Sequence, residues 1–341
     1  MDRGVEPIRT AVVGVGHLGR NHARIYHEMQ HVRLVAVVDT DEARAREVAA
    51  RCDARPYADI EALLADPPDG CLPAAVSLAV PTEHHHALAR RLLSAGCHVL
   101  VEKPLARSIG EAEDLVRFAG EEGLRLAVGH VERFNPALLA ALPHIRDVKY
   151  IESRRVAPFS FRSQDISVML DLMVHDIDII LHLVRQSVVS VSALGARVLS
   201  PHVDVANARI EFENGAVADI TASRVSAKAE RSLRVFQGDS YVSLDYLNRR
   251  AAVYRKSEKL ASGAIDLAKV DLAAIGDPRA FLFGELIDVV DLEVAEAEPL
   301  AFEIESFLES VITGVEPVVP GRHGLRAMRV IARIAETMRV L

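Results

Sequence analysis

Cysteine is scarce in this chain. Its 341 residues include three, Cys52, Cys71 and Cys97, with no CxxC spacing and an odd count, which argues against a disulfide framework and suits a reducing, cytoplasmic setting. No stretch offers eighteen uncharged apolar residues, so no membrane span is expected. The segment Met1–Pro7 lacks the apolar core of a signal peptide. Excess positive charge is missing too. Lys and Arg number 40 against 48 Asp and Glu, a formal charge of −8, which argues against a nucleic-acid or anionic-membrane partner. Internal repeats and low-complexity linkers are absent. What remains is 50% apolar and 26% charged, the profile of a soluble globular protein, and long enough to favour two domains.

The first domain is expected over residues 1–129. Ile8 to Val13, Leu34 to Val38, Ala74 to Val80, His98 to Val101 and Leu124 to Val128 read as short buried strands, with helical patterns between them. Strands alternating with helices predict a doubly wound parallel sheet. Beyond residue 130 the texture changes. A helical stretch over Val168–Val184 precedes strand-like segments near 188–198, 206–212, 216–223, 232–237 and 241–245, with a hairpin signal at Asn214-Gly215. Two helical patterns follow near 302–313 and 322–340, and 261–278 is the least patterned stretch. The second domain, 130–341, is therefore expected to be α+β on an open, largely antiparallel sheet, its last helix able to pack back on the first domain.

Gly14-Val15-Gly16-His17-Leu18-Gly19 follows the first strand and opens a helix, and Asp39 ends the next strand. This is the context a dinucleotide fingerprint requires. Gly14 permits the tight turn, Gly16 lets the backbone approach a pyrophosphate, and Gly19 lets helix and strand pack closely. Asp39 suits ribose hydroxyls. No cation stands at Thr40, Asp41 or Glu42, so NAD is expected rather than NADP.

Glu102-Lys103-Pro104 comes directly after an apolar strand, at the sheet end where such folds bind ligands. On the Val168–Val184 helix, Asp171, His175, Asp178 and His182 share one face while the other faces are apolar, so this polar stripe must be paired or line a cavity. Spacing alone leaves catalysis, a metal site and a structural pair open. His84-His85-His86 cannot converge on one ion, since consecutive helical residues point about 100° apart.

These residues together resemble the glucose–fructose oxidoreductase / inositol dehydrogenase / rhizopine-catabolism family of NAD(P)-dependent sugar oxidoreductases. The likeness takes in the GVGHLG turn, the VPTEHHH segment, AGCHVLVEKP (Ala95–Pro104) and the Asp171-x-x-x-His175 helix. It implies that Lys103, Asp171 and His175 line the sugar beside the nicotinamide. It also implies that His17, Leu18, Pro81, His85 and Glu102 belong to the cofactor site with Gly14, Gly16, Gly19, Asp39 and Lys103, and that no metal is needed. GHVERFNP (Gly129–Pro136), APFSFRS (Ala157–Ser163) and SPHVDVANARIEF (Ser200–Phe212) narrow the resemblance. They are similar to segments of bacterial dehydrogenases of nucleotide-linked amino sugars, the UDP-N-acetylglucosamine 3-dehydrogenases, whose 3-keto product goes to an aminotransferase for lipid A diamino sugars. Arg133, Asn135 and Arg162 are then substrate-binding candidates. A diphosphate wants guanidinium forks, for which Arg133, Arg154, Arg155 and Arg162 are available.

The reaction this implies is NAD-dependent oxidation of a secondary sugar hydroxyl, with His175 or Lys103 as the base and Asp171 orienting. A homodimer or homotetramer is expected, because an open sheet leaves one face without helices. Two rivals stand beside this reading. One is a dehydrogenase of another sugar, a cyclitol or a UDP-hexuronic acid; the other is a non-catalytic NAD-sensing or scaffold protein, which would have no need to keep Lys103 and His175.

Overall fold

The structure, a computed structural model, describes residues 6–160, 167–270 and 275–341. The chain divides into two compact units, one of Met1–Phe134 with Glu298–Arg329, the other of Asn135–Ala297 with Val330–Leu341.

In the first unit six parallel strands lie in the order β3-β2-β1-β4-β5-β6: β1 (Ile8–Val13), β2 (Val32–Val38), β3 (Arg55–Tyr57), β4 (Ala75–Leu78), β5 (His98–Glu102) and β6 (Leu126–Gly129). The helices are α1 (Gly19–Glu28), α2 (Glu42–Arg51), α3 (Ile60–Ala65), α4 (His85–Ser94) and α5 (Ile109–Glu121). Their starts are written in the sequence. Asp41 accepts the Arg44 N–H at the start of α2, Asp59 does the same for Ala62 in α3, and Ser108 with Glu111 forms a reciprocal capping box on α5. The apolar strands bury both faces. Leu92, Leu93 and Leu115 of α4 and α5 pack on one side; Ala23 and Tyr26 of α1 and Val48 of α2 pack on the other. That is the doubly wound arrangement the alternation predicted. From late in the chain, α10 (Pro299–Thr313) joins the second cluster through Ile304, Phe307 and Leu308.

The second unit is built on a nine-stranded sheet. Its strands are β7 (Tyr150–Val156), β8 (Val188–Ala196), β9 (Val205–Phe212), β10 (Val217–Ser223), β11 (Glu230–Phe236), β12 (Ser240–Asp245), β13 (Arg250–Lys256), β14 (Ile287–Asp291) and β15 (Met338–Val340), in the order β14-β13-β12-β11-β7-β10-β9-β8-β15. Pairing is antiparallel except for β10 with β7 and β15 with β8. The β9–β10 hairpin turns at Asn214-Gly215, with Gly215 at φ +79° and the Phe212 N–H donating to the Ala216 carbonyl. Helices α6 (Pro136–Ala141) and α7 (Val174–Val184) belong to this unit, with the one-turn helices α8 (Glu258–Ala261) and α9 (Pro278–Phe281).

The stretch read as one regular helix over Val168–Val184 is not uniform. Met169–Met173 forms a π turn, and α-helical geometry begins at Val174. The final helix, α11 (Gly321–Thr337), starts in the first unit, where Gly321 and Gly324 let it approach Leu126 and Val128 of β6. Among the described residues no helix is long and apolar enough to cross a membrane, and the three cysteines are free.

Candidate active site

After β1 the backbone turns at Gly14, φ +83°, where a Cβ would come 2.6 Å from the Ala79 carbonyl oxygen beyond β4. A Cβ on Gly19 would overlap the Gly14 carbonyl. Both positions therefore require glycine. Gly16 differs, because nothing lies within 4 Å of where its Cβ would be. The space beside it is open, flanked by the exposed His17 and Leu18, and Leu18, the N-cap of α1, makes no side-chain cap. A close-packed turn, an open glycine and an uncapped helix start fit the pyrophosphate of a dinucleotide.

Asp39, 7% exposed, is engaged by the main chain through both carboxylate oxygens. Its Oδ2 accepts the Val15 N–H at 2.9 Å and its Oδ1 the Asp41 N–H at 2.9 Å, so it ties the end of β2 to the glycine turn. Arg44 Nη1 lies 3.3 Å from each carboxylate oxygen. The sequence window 40–42 holds no cation, yet the first turn of α2 brings Arg44 back to Asp39.

Pro81 precedes a 3₁₀ turn (Thr82–His84) that leads into α4. Of the three histidines His84 is exposed and His86 meets Asp114 at 3.0 Å. His85 is 1% exposed, with Nδ1 2.8 Å from the Pro104 carbonyl and Nε2 2.9 Å from the Val80 carbonyl. Both ring nitrogens thus face main-chain carbonyls, and the ring lies between the turns after β4 and β5 with its one N–H donated to either.

Glu102 ends β5, and a cis peptide joins Lys103 to Pro104. Glu102 Oε1 is 3.0 Å from Nε2 of His22, and its Oε2 accepts the Lys103 N–H at 3.2 Å. His22 Nδ1 meets Ser77 Oγ at 3.1 Å, and Ser77 Oγ meets the Tyr26 hydroxyl at 2.8 Å. Burial alone would raise the Glu102 pKa. The hydrogen bond from His22, with the Lys103 N–H and ammonium, outweighs it and holds the carboxyl below its ordinary value. Sequence reasoning did not find His22, Ser77 or Tyr26. The signal was present, because His22 and Tyr26 lie on the buried stripe of α1 with Gly19 and Ala23.

Arg133 sits in the turn after β6, 4% exposed, and burial and then the Arg133 charge lower the pKa of Arg326 on α11. Asn135 is the N-cap of α6, its side chain accepting the Ala137 N–H at 3.1 Å. Arg162 and Ser163 lie outside the described residues, as do residues 271–274 of the unpatterned stretch.

Lys103 belongs to the first unit, Asp171 and His175 to the second. Asp171 lies in the π turn and His175 in the first turn of α7, both partly buried. Two arginines offered as diphosphate anchors are committed elsewhere. Arg155, 2% exposed, forms a two-pronged pair with buried Asp176 at 2.8 and 3.1 Å, and Arg154 pairs with Glu230 across the sheet at 2.9 Å. Among the described residues no three His, Cys, Asp or Glu side chains gather as a metal site would require.

Residues 8–130 match the model of an oxidoreductase family with an NAD-binding Rossmann fold, GFO/IDH/MocA, and residues 149–239 match that family's C-terminal domain. A UDP-N-acetylglucosamine 3-dehydrogenase of Acidithiobacillus ferrooxidans is 39% identical over 279 residues, 78% of this chain and 85% of that protein. A solved structure of the Acidithiobacillus ferrooxidans UDP-N-acetylglucosamine 3-dehydrogenase has a TM-score of 0.83 at 33% identity, covering 97% of this chain and 98% of that one. An inositol 2-dehydrogenase of Rhizobium meliloti is 26% identical over 332 residues, 94% of each.

Proposed function

The chain belongs to the GFO/IDH/MocA oxidoreductases, and from that premise we propose that it oxidises the 3-hydroxyl of UDP-N-acetylglucosamine with NAD. The observation that carries this reading is the 39% identity to an enzyme of that name, spanning 85% of its length. NAD, when bound, would supply the two-electron hydride acceptor that oxidation of the alcohol to a ketone requires, the hydroxyl proton leaving separately. In this proposal the N–H groups at the start of α1 hold the pyrophosphate, and Asp39 accepts the ribose hydroxyls. His175 takes the hydroxyl proton, a task suited to an imidazole near neutral pH, with Asp171 orienting it. Lys103 hydrogen-bonds the reacting oxygen and offsets the negative charge that develops there. Arg133 and Asn135 are assigned to the substrate, with the guanidinium toward the diphosphate.

We place the reaction in the cytoplasm, ahead of an aminotransferase that converts the 3-keto sugar for lipid A. We further propose a homodimer or homotetramer. On one face of the second sheet Tyr150, Phe236, Tyr241 and Tyr254 form a half-buried aromatic row, with centroids 5.6, 5.3 and 4.4 Å apart. A second copy would cover it. Light scattering should give twice or four times the chain mass; a monomer at working concentration refutes this part. The function itself is tested by coupling the enzyme to such an aminotransferase and seeking a UDP-linked 3-amino sugar by mass spectrometry. Turnover of free myo-inositol with none of UDP-sugars would instead favour a cyclitol dehydrogenase.

A further inference from the structure

The buried polar chain under the Lys103 turn has no part in the reaction as described so far. It begins at Tyr26, 0% exposed, and runs through Ser77, 0%, and His22, 1%, to Glu102. It ends on the backbone N–H of Lys103. Polar groups buried this deeply in an otherwise apolar sheet-and-helix core cost stability unless each is satisfied, so the chain is a specific arrangement and not a tolerated accident.

Its directionality can be worked out from the acceptors. Glu102 is held as a carboxylate, so its Oε1 accepts and His22 Nε2–H donates. Tyr26 keeps its proton, since burial above all raises its pKa. Its O–H can donate to Ser77 Oγ, whose own hydrogen then reaches His22 Nδ1. Every link has one donor and one acceptor. The space around Glu102 is equally specific, because a Cβ on Gly129 of β6 would lie 2.9 Å from Glu102 Oε2. From the other side His85 holds the Pro104 carbonyl at 2.8 Å. The residue between these anchors is Lys103.

We propose that Glu102, braced by His22, is a positioning residue for Lys103: its fixed carboxylate anchors the Lys103 backbone N–H and so sets where the side chain starts. This rests on the reading of Lys103 as the group that touches the reacting oxygen. It deepens that reading in one respect. The reach of the Lys103 side chain toward the reacting oxygen then depends on a carboxylate that itself never touches substrate. It also separates Glu102 from the cofactor-binding residues with which the resemblance grouped it.

The test compares Glu102→Gln, which keeps shape and removes charge, with Lys103→Ala and the double variant, assayed with NAD and UDP-N-acetylglucosamine. Glu102→Gln should lower kcat about ten- to a hundredfold while KM for NAD stays within about twofold. In the Lys103→Ala background it should add little, because Glu102 acts through Lys103. Unchanged kcat in Glu102→Gln overturns the proposal, as does full additivity in the double variant. Lys103→Ala with normal turnover overturns instead the parent assignment of Lys103. A readout that needs no substrate is amide exchange over the 98–106 segment. It should quicken in His22→Ala and return toward the parent rate in His22→Gln, whose amide can both donate to Glu102 and accept from Ser77. If Glu102→Gln does not fold, this pair of His22 variants decides, and unaltered exchange in His22→Ala overturns the bracing.

Discussion

Replacing Asp39 by alanine should do two separable things, and their sizes follow from its contacts. The carboxylate accepts the buried Val15 N–H and the Asp41 N–H, both at 2.9 Å. Stranding a buried N–H costs about 1–3 kcal/mol, so the variant should lose that much stability and some order in the glycine turn. The second effect falls on the cofactor. Hydrogen bonds to a charged acceptor contribute about 1.5–3 kcal/mol, so losing the ribose interaction should lower kcat/KM for NAD about ten- to 150-fold. Arg44, released from Asp39 at 3.3 Å and left with Asp41 at 2.9 Å as its one acidic partner, would then stand beside the ribose with less negative charge around it, so NADP should lose less than NAD and the preference should narrow. Steady-state kinetics with both cofactors, alongside thermal unfolding, separates the two effects. If kcat/KM for NAD stays within about twofold while the melting temperature falls, Asp39 is a structural tie alone and its assignment to the ribose is wrong.

Other outcomes follow from the same geometry. Lys103→Ala and His175→Ala should each lower kcat about a hundred- to ten-thousand-fold with modest change in NADH affinity by fluorescence titration; near-normal turnover in either removes its assigned role. Arg155→Ala leaves Asp176 buried without its two-pronged partner, and should cost about 3–5 kcal/mol in urea unfolding, whereas Arg155→Met with Asp176→Leu should cost much less. Acid should destabilise the second unit through Asp204. Burial would raise its pKa, but Ser200, Arg224 and the Leu199 N–H hold it well below the carboxylate range. Its contribution is full above the unfolded value near 4 and is lost as pH falls toward the folded one. Asp204→Asn should therefore flatten the acid limb of stability against pH, and an unchanged limb would refute this.

Much of the first unit was legible because its signals are local. Five of its six strands are apolar runs ended by turn residues, and the glycine turn carries its own context. The strand that escaped, β3 (Arg55–Tyr57), has three residues, too few for any pattern. In the second unit β8 to β12 could be read, but β7 could not. Its inward positions include Arg155, whose burial depends on Asp176 twenty-one residues away, and charge in a sequence gives no sign of burial. The same limit made Arg155 look like a phosphate anchor, and the pairing of exposed Arg154 with Glu230 on β11 is equally invisible in the sequence. The parallel pairing of β7 with β10 is a long-range outcome that neither segment announces. The π turn at Met169–Met173 escaped because its apolar pattern continues into α7 without a break. At the candidate site glycines, Asp39 and Lys103 were visible as motifs, whereas His22 and Ser77 matter only through what the fold sets against them.

The central claim is that this oxidoreductase acts on a nucleotide-linked amino sugar with NAD. The most direct measurement follows NADH formation with UDP-N-acetylglucosamine against free N-acetylglucosamine and free myo-inositol, with product withdrawn by an aminotransferase. The account predicts turnover of the UDP-sugar and a kcat as well as a KM that worsen for the free sugar, because the remote diphosphate helps position the reacting carbon. Equal turnover of the free sugar, or turnover of myo-inositol alone, would contradict it.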